Sequence, residues 1–410
     1  MTQNPRLSAQ SSSLALILER VPALTKKISE GAAERDISGE LPYWAFKLVR
    51  ESGILALRVP VHLGGPGGSV TDVIETLATL ASGDSNIAHA LRTHFNQSES
   101  LFLAPESEDQ KKRANLILGG AIFGGAGAEL GTPKFTNKTT STLVKAADGT
   151  YRLNGKKYYT TGTAYADFVS TSALLENGET VRIFLPIDRP GIDIRNDWDG
   201  MGQRLTASGG VDFKDVEVRE SEFSIPVKSP NNQIVSHHVS TLRQLILMAS
   251  QTGSVRNVLA EAIEYGKNQA RAITHSHAET ARGDYFVQRE VGKIASLSQA
   301  VDALITHSAR ALDRGAAAIQ ESDPNAHQIV VENSITVAKA QVALAPLALQ
   351  AAEGIFNVGG ASATSRKRNF DRHWRNIRTV MSHNPVFYKE KAIGDFLLND
   401  EPPPTDGGFF

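Results

Sequence analysis

Arg372, Arg375 and Arg378 recur at i, i+3 and i+6 beside His373 and Trp374, and Ser382-His383-Asn384-Pro385 follows within a few residues. Guanidiniums so concentrated bind a carboxylate, a phosphate or a neighbouring subunit more readily than they decorate a solvated helix face. His383 adds a group that ordinarily titrates near neutrality, suited to giving, taking or holding a proton. Its alternative role is to cap the preceding helix through the C-terminal dipole. Two further histidines, His89 and His94, stand five apart in Ile87-Ala88-His89-Ala90-Leu91-Arg92-Thr93-His94-Phe95. They lack the i, i+4 spacing and the third ligand of a metal site, and a hydrogen-bonded core histidine is the commoner fate of such residues, so no metal is expected.

Gly124-Gly125-Ala126-Gly127-Ala128-Glu129 is rich in small residues but opens no βαβ unit, which excludes a Rossmann reading. Leu153-Asn154-Gly155-Lys156-Lys157 reads as a hairpin turn with charged flanks, and on local physics Thr161 behind it is a β-branched strand residue. From Lys228 to Ala260 there is no Asp or Glu at all, so that stretch offers no carboxylate base.

The elements that must hold these residues change character twice. From about Leu14 to Leu118 apolar residues recur at three- and four-residue spacing, interrupted by Val59-Pro60 and Gly64-Gly65-Pro66-Gly67-Gly68. From Gly119 to about Lys228 short alternating segments such as Val181-Arg182-Ile183-Phe184-Leu185 are separated by Asn154-Gly155, Asn177-Gly178 and Pro190-Gly191, the punctuation of a sheet. From about Gln233 to Leu398 long Ala-rich helical patterns return, including Ile294 to Ala318 and Val330 to Ala352. The expected organisation is an N-terminal helical domain over 1–118, a middle β domain over 119–228, and a C-terminal helix bundle over 229–410 ending in an extended arm from Glu401.

With 41% apolar residues in 410, the chain can bury a large core, and a formal net charge of −1 points to neither nucleic acid nor an anionic membrane as main partner. Cysteine is absent, so disulfides, thiolate metal sites and a cysteine nucleophile are excluded. No uninterrupted run of about 18 apolar residues occurs and Met1 to Ser13 lacks a signal pattern, so a soluble, cytoplasmic protein is expected.

The stretch from Asn369 to Pro385 closely resembles the C-terminal signature of flavin-dependent monooxygenases built on the acyl-CoA dehydrogenase fold, the group that includes dibenzothiophene monooxygenase. Further landmarks lie in the family's order: Gly53-Ile54-Leu55 with Val59-Pro60 and Gly64-Gly65, then Leu153 to Gly162, then Asp197-Trp198 with Gly200-Met201-Gly202-Gln203-Arg204. Where an acyl-CoA dehydrogenase carries Tyr-Glu-Gly-Thr with its catalytic Glu, this chain reads Ser382-His383-Asn384-Pro385. The helix that holds the alternative Glu in other dehydrogenases is the acid-free stretch described above.

The resemblance implies an α+β, mostly α fold and a two-component enzyme. It implies that reduced FMN, with FAD as the variant flavin, comes from a separate flavin reductase. O2 then forms a C4a-hydroperoxyflavin that oxygenates a small heteroatom-containing or aromatic substrate. It also implies that His383 and His89 face the flavin–substrate cavity and that Thr161 places its hydroxyl near flavin N5, with Tyr159 on the same segment. Gly125 would pass the flavin through accessible backbone groups. Arg271, Gly359, Gly360 and Ala361 would meet a flavin bound mainly by a neighbouring subunit, in a homo-oligomer expected to be a tetramer. Gly125 and Thr93 stand where the dibenzothiophene enzymes have Asn and Tyr, which implies a different substrate. An FAD-dependent acyl-CoA dehydrogenase and a non-catalytic helical scaffold are the alternatives.

Overall fold

The structure, a computed structural model, describes residues 13–130, 139–405 and 410. Six helices come first: α1 (Leu14–Ser29), α2 (Ala32–Ser38), α3 (Tyr43–Ser52), α4 (Val70–Ala90), α5 (Arg92–Phe102) and α6 (Glu108–Leu118). The glycine-rich break before α4 is a tight loop, and Ser69 with Asp72 closes it in a capping box that starts the helix. Inside α4, Asp84 leaves helical geometry: it accepts from Asn86 N at 3.0 Å and pairs with Arg35 at 3.3 Å. Its carboxylate restarts the last turns of the helix on a new heading, and those turns carry His89.

Eight strands follow: β1 (Phe123–Ala126), β2 (Thr142–Lys145), β3 (Tyr151–Lys157), β4 (Phe168–Leu174), β5 (Thr180–Pro186), β6 (Ile192–Ile194), β7 (Val211–Val218) and β8 (Phe223–Ser224). They form one sheet in the order β6-β7-β3-β2-β4-β5-β8, with β1 paired parallel to β4. Asn154-Gly155 is not the hairpin turn expected from the sequence. It lies within β3, where the pairing with β7 shifts between Leu153 and Gly155. A Cβ at Gly155 would come within 2.0 Å of Ser141 Oγ, so glycine serves close packing and a bulge there. The β2–β3 turn is instead at Asp148-Gly149, closed by Ala146 N–H to Thr150 O at 2.8 Å.

The C-terminal helices are α7 (Pro230–Asn268), α8 (Tyr285–Gln320), α9 (Ala326–Gly359), α10 (Asp371–Met381) and α11 (Val386–Asn399). One continuous apolar core runs from Ile17 on α1 through Leu77 on α4 to Leu245 on α7, Leu344 on α9 and Ile377 on α10, so the first and last helical regions are packed as one body. The sheet has its own core around Leu143, Val169, Ile183 and Phe213. By length and hydropathy α9 is the one helix among the described residues that would suffice to cross a membrane, despite interspersed polar residues; more than half of its apolar stretch is buried within the bundle. Phe410 packs against Ile335, Ala338 and Ala392.

Candidate active site

The last turn of α4 presents His89, 6% exposed, and α5 begins with Arg92, 8% exposed. His89 Nδ1 lies 3.1 Å from Gln203 Oε1, and Gln203 Nε2 donates to Ser85 Oγ at 3.1 Å. Gln203 is held in the left-handed region at φ 52°, its N–H donating to Asn376 Oδ1 of α10 at 2.6 Å. An amide oxygen only accepts, so the His89 proton sits on Nδ1 and Nε2 is left as an acceptor. That atom is buried without a hydrogen-bond partner. Burial, then the nearby Arg92, pushes the His89 pKa down to about 3, so the ring is neutral.

Thr161 reaches the same place from the sheet. Gly162 has φ 78°, and a Cβ there would meet Ala90 O at 2.0 Å, so glycine lets this segment lie directly against the end of α4. Thr161 Oγ1 is 2.8 Å from Ser208 Oγ, Ser208 Oγ is 2.7 Å from Thr206 Oγ1, and Thr206 donates to Gln203 O at 2.8 Å. The last bond sets the direction of the others: Thr206 accepts from Ser208, and Ser208 accepts from Thr161. Thr161 therefore keeps lone pairs free to accept while its own proton is engaged. Tyr159, at φ 57° and 48% exposed, stands edge-on to Trp198 at 6.2 Å and offers an open aromatic face at the rim.

His383, in the loop between α10 and α11, completes the group. Arg92 Nη1 donates to His383 Nε2 at 3.2 Å, and His383 Nδ1 lies 2.9 Å from Asn384 Oδ1. Asn384 Nδ2 then donates to Gln244 Oε1 of α7 at 2.7 Å. Burial, followed by Arg92 and His89, holds the His383 pKa well below its ordinary value. The sequence expectation of a histidine that changes charge near neutral pH is corrected: the ring is kept neutral. These side-chain bonds also differ from a helix cap.

The three arginines act as struts. Arg372 bonds Glu261 and Asn369 O, Arg375 pairs with Asp36 at 2.8 Å and reaches Met201 O at 3.0 Å, and Arg378 donates to Ser382 Oγ at 2.7 Å. His94 is a core clip, with Nε2 2.9 Å from Leu55 O and Nδ1 accepting from Phe123 N at 3.2 Å.

Gly125 does not offer the open backbone expected of it. Its N–H donates to Thr163 Oγ1 at 3.1 Å, and its carbonyl accepts from the same hydroxyl at 3.0 Å. A Cβ at this position would fall 2.8 Å from Thr93 Cγ2, so its small size admits Thr93.

The remaining expected residues lie elsewhere. Arg271 is exposed just beyond α7, and Gly359 ends α9 against the Tyr265 ring, where a Cβ would sit 1.9 Å from Cε1. Gly360 and Ala361 follow, both exposed. Beside them Arg368 lies 4.4 Å over Tyr265, at a hollow of about 500 Å3 that Gln269, Lys367 and Phe370 also line. From Gln244 to Asn268 the helical rise is about 36 Å. His89, Thr161 and His383 thus converge, while Arg271 and Gly359–Ala361 form a second cluster at the far end of α7. Gln203, Thr206, Ser208 and Arg92 were not anticipated as functional; Gln203 lay inside a recognised landmark, whereas the others carry no distinctive local pattern.

Residues 126–216 match the acyl-CoA dehydrogenase middle-domain family, and residues 245–387 match the acyl-CoA dehydrogenase C-terminal domain family. The chain is 30% identical to dibenzothiophene monooxygenase of Mycolicibacterium goodii over 411 residues, covering 97% of each chain. It is also 30% identical to the probable FMNH2-dependent monooxygenase SfnC of Pseudomonas putida, over 93% of this chain and 94% of the other. Among solved structures, FMN-bound TdsC from Paenibacillus sp. A11-2 superposes with a TM-score of 0.86 at 27% identity, over 96% of this chain and 100% of the other. Methanesulfinate monooxygenase MsuC from Pseudomonas fluorescens does so with a TM-score of 0.84 at 26% identity, over 96% and 99%.

Proposed function

Because the chain belongs to the flavin-dependent monooxygenases built on the acyl-CoA dehydrogenase fold, we propose that it takes reduced FMN from a separate flavin reductase and uses O2 to oxygenate a small heteroatom-containing or aromatic substrate. One oxygen atom enters the substrate at sulfur, nitrogen or ring carbon, and the other leaves as water. The observation that carries this reading is the pair of buried acceptors, Thr161 Oγ1 and His89 Nε2, fixed by one network through Gln203. A reduced flavin ring presents N–H donors, and this chain presents matching acceptors. When bound, FMN supplies two electrons and the site of oxygen activation.

Thr161 would accept a hydrogen bond from an N–H at the flavin edge, and the Ser208–Thr206 relay keeps that acceptor aimed. His89, neutral, would present Nε2 to the flavin or to the substrate beside it, and His383, neutral and tied to Arg92 and Asn384, would line the substrate side without adding charge. Tyr159 covers the rim. FMN is the flavin in the names of both a sequence relative and a structural neighbour, which favours it over FAD. The far cluster supports an oligomer: one chain supplies Thr161, His89 and His383, while a neighbour supplies Arg271 and Gly359–Ala361 to the flavin phosphate, within a cytoplasmic tetramer.

Among the described residues, the dehydrogenase alternative lacks its base. Where the 382–385 loop meets α7, the facing groups are the amides of Asn384 and Gln244. Anaerobic mixing with reduced FMN, followed by oxygen and a panel including dibenzothiophene, indole and methanesulfinate, should yield an oxygenated product. Dye reduction by an acyl-CoA with no need for oxygen would overturn the proposal.

A further inference from the structure

Three buried cations pair with a carboxylate. Arg35 pairs with Asp84, Arg372 with Glu261 and Lys157 with Glu129. For Arg92 no carboxylate lies within ion-pair distance among the described residues; it donates to the neutral His383, and its Nε is buried with no partner. Among the described residues, the titratable and charged groups facing it are His89 on α4, His383 on the loop and Arg243 on α7, none of them an anion. Burying a guanidinium is costly unless an anion compensates it, and no carboxylate among the described residues pairs with Arg92.

We propose that Arg92 receives an anionic head group of the substrate, a sulfinate, sulfonate or carboxylate, and sets it beside His89 and His383. This rests on the monooxygenase reading and narrows its substrate class. The guanidinium fork matches the paired oxygens of such groups, whereas an uncharged sulfide or ring would leave Arg92 uncompensated. The neighbouring neutral histidines fit the same role: they complete the polar lining without competing for the anion as cations.

The test is calorimetric titration of the FMN-free and FMN-loaded protein with methanesulfinate, benzenesulfinate and benzoate, with dimethyl sulfone as the uncharged control. At least one anion should bind in preference to dimethyl sulfone. Arg92→Gln should weaken that anion about thirtyfold or more, while FMN affinity stays within about threefold and Arg92→Lys recovers part of the loss. Melting temperatures establish that each variant is folded, and should Arg92→Gln not fold, the Lys variant carries the comparison through its partial loss. The inference is overturned if no anion binds, or if anion affinity is the same in the Gln variant. It is also overturned if the Gln variant loses FMN instead, which would make the flavin the counter-ion. Oxygenation of uncharged aromatics without anion binding would remove this inference alone. Arg92-dependent anion binding in a protein that oxygenates nothing would remove the monooxygenase reading and leave this inference standing.

Discussion

Arg92 Nη1 and His383 Nε2 are joined at 3.2 Å, and this bond settles the protonation of His383. A guanidinium has no acceptor, so Nε2 must carry a lone pair and the ring proton must sit on Nδ1, facing Asn384 Oδ1. A second positive charge next to Arg92 is strongly opposed, and the histidine works as an oriented neutral group.

His383→Ala should therefore reduce oxygen transfer by about tenfold or more, the scale of one lost hydrogen bond to a charged group, with little change in melting temperature. The wild-type pH–rate profile should show no step near 6.5 attributable to this ring, because its pKa lies well below that value. A destabilised variant with normal product per reduced flavin would return His383 to a structural role.

Thr161→Val keeps shape and removes the hydroxyl. It should raise the hydrogen peroxide released per reduced flavin and lower product yield in step. Ser208→Ala should give a smaller change in the same direction, since it unties Thr161 without removing its acceptor. Stopped-flow oxidation with a peroxide assay measures both, and equal coupling in all three proteins would count against the flavin role of Thr161.

Gln203 fixes the His89 tautomer. Gln203→Leu should let the proton move between the ring nitrogens, visible in the imidazole 15N shifts, and lower turnover by about tenfold or more. An unaltered tautomer in that variant would show that other contacts orient His89.

Acid should destabilise the fold through buried histidines. His94 has its pKa lowered from 6.5 to about 4 by burial, so below 6.5 the unfolded chain takes up a proton that the native state refuses. Its contribution is fully present above 6.5 and is lost as pH falls toward 4; for His94 this is on the order of 3 kcal/mol. His237, lowered to about 4, and His89, lowered to about 3, act with the same sign. Urea unfolding between pH 7 and 4 should show stability falling throughout, with a shallower slope in His94→Phe. A slope unchanged by that substitution would refute the assignment.

The separation of the two clusters predicts complementation between chains. Arg271→Ala and His383→Ala, each impaired alone, should regain activity when co-assembled, because one mixed interface then carries an intact pair of clusters. Mixed oligomers no more active than either parent would place both clusters on flavins of the same chain.

Much of the architecture was written in local pattern. The 3.6-residue periodicity of Val70 to Ala81 and Val330 to Ala352, and the alternation of Val181 to Leu185, depend on neighbours in sequence, so helix, sheet and bundle were legible in order. Residue type marked His383 as able to do chemistry and marked the lack of acids from Lys228 to Ala260, whereas it was the family resemblance that singled out His89 and Thr161. Local pattern misled at Asn154-Gly155, because the same dipeptide serves a turn or a bulge and only the partner strand, with Ser141 packed on the glycine, decides between them. Tautomer, charge state and hydrogen-bond direction were decided by tertiary structure, since each depends on an atom far along the chain: His89 on Gln203, His383 on Arg92, Thr161 on Ser208. The burial of Arg92 was decided the same way. An arginine at the start of a helix is ordinarily solvated, and it becomes a charge awaiting an anion only when α4, α7 and the 382–385 loop close around it.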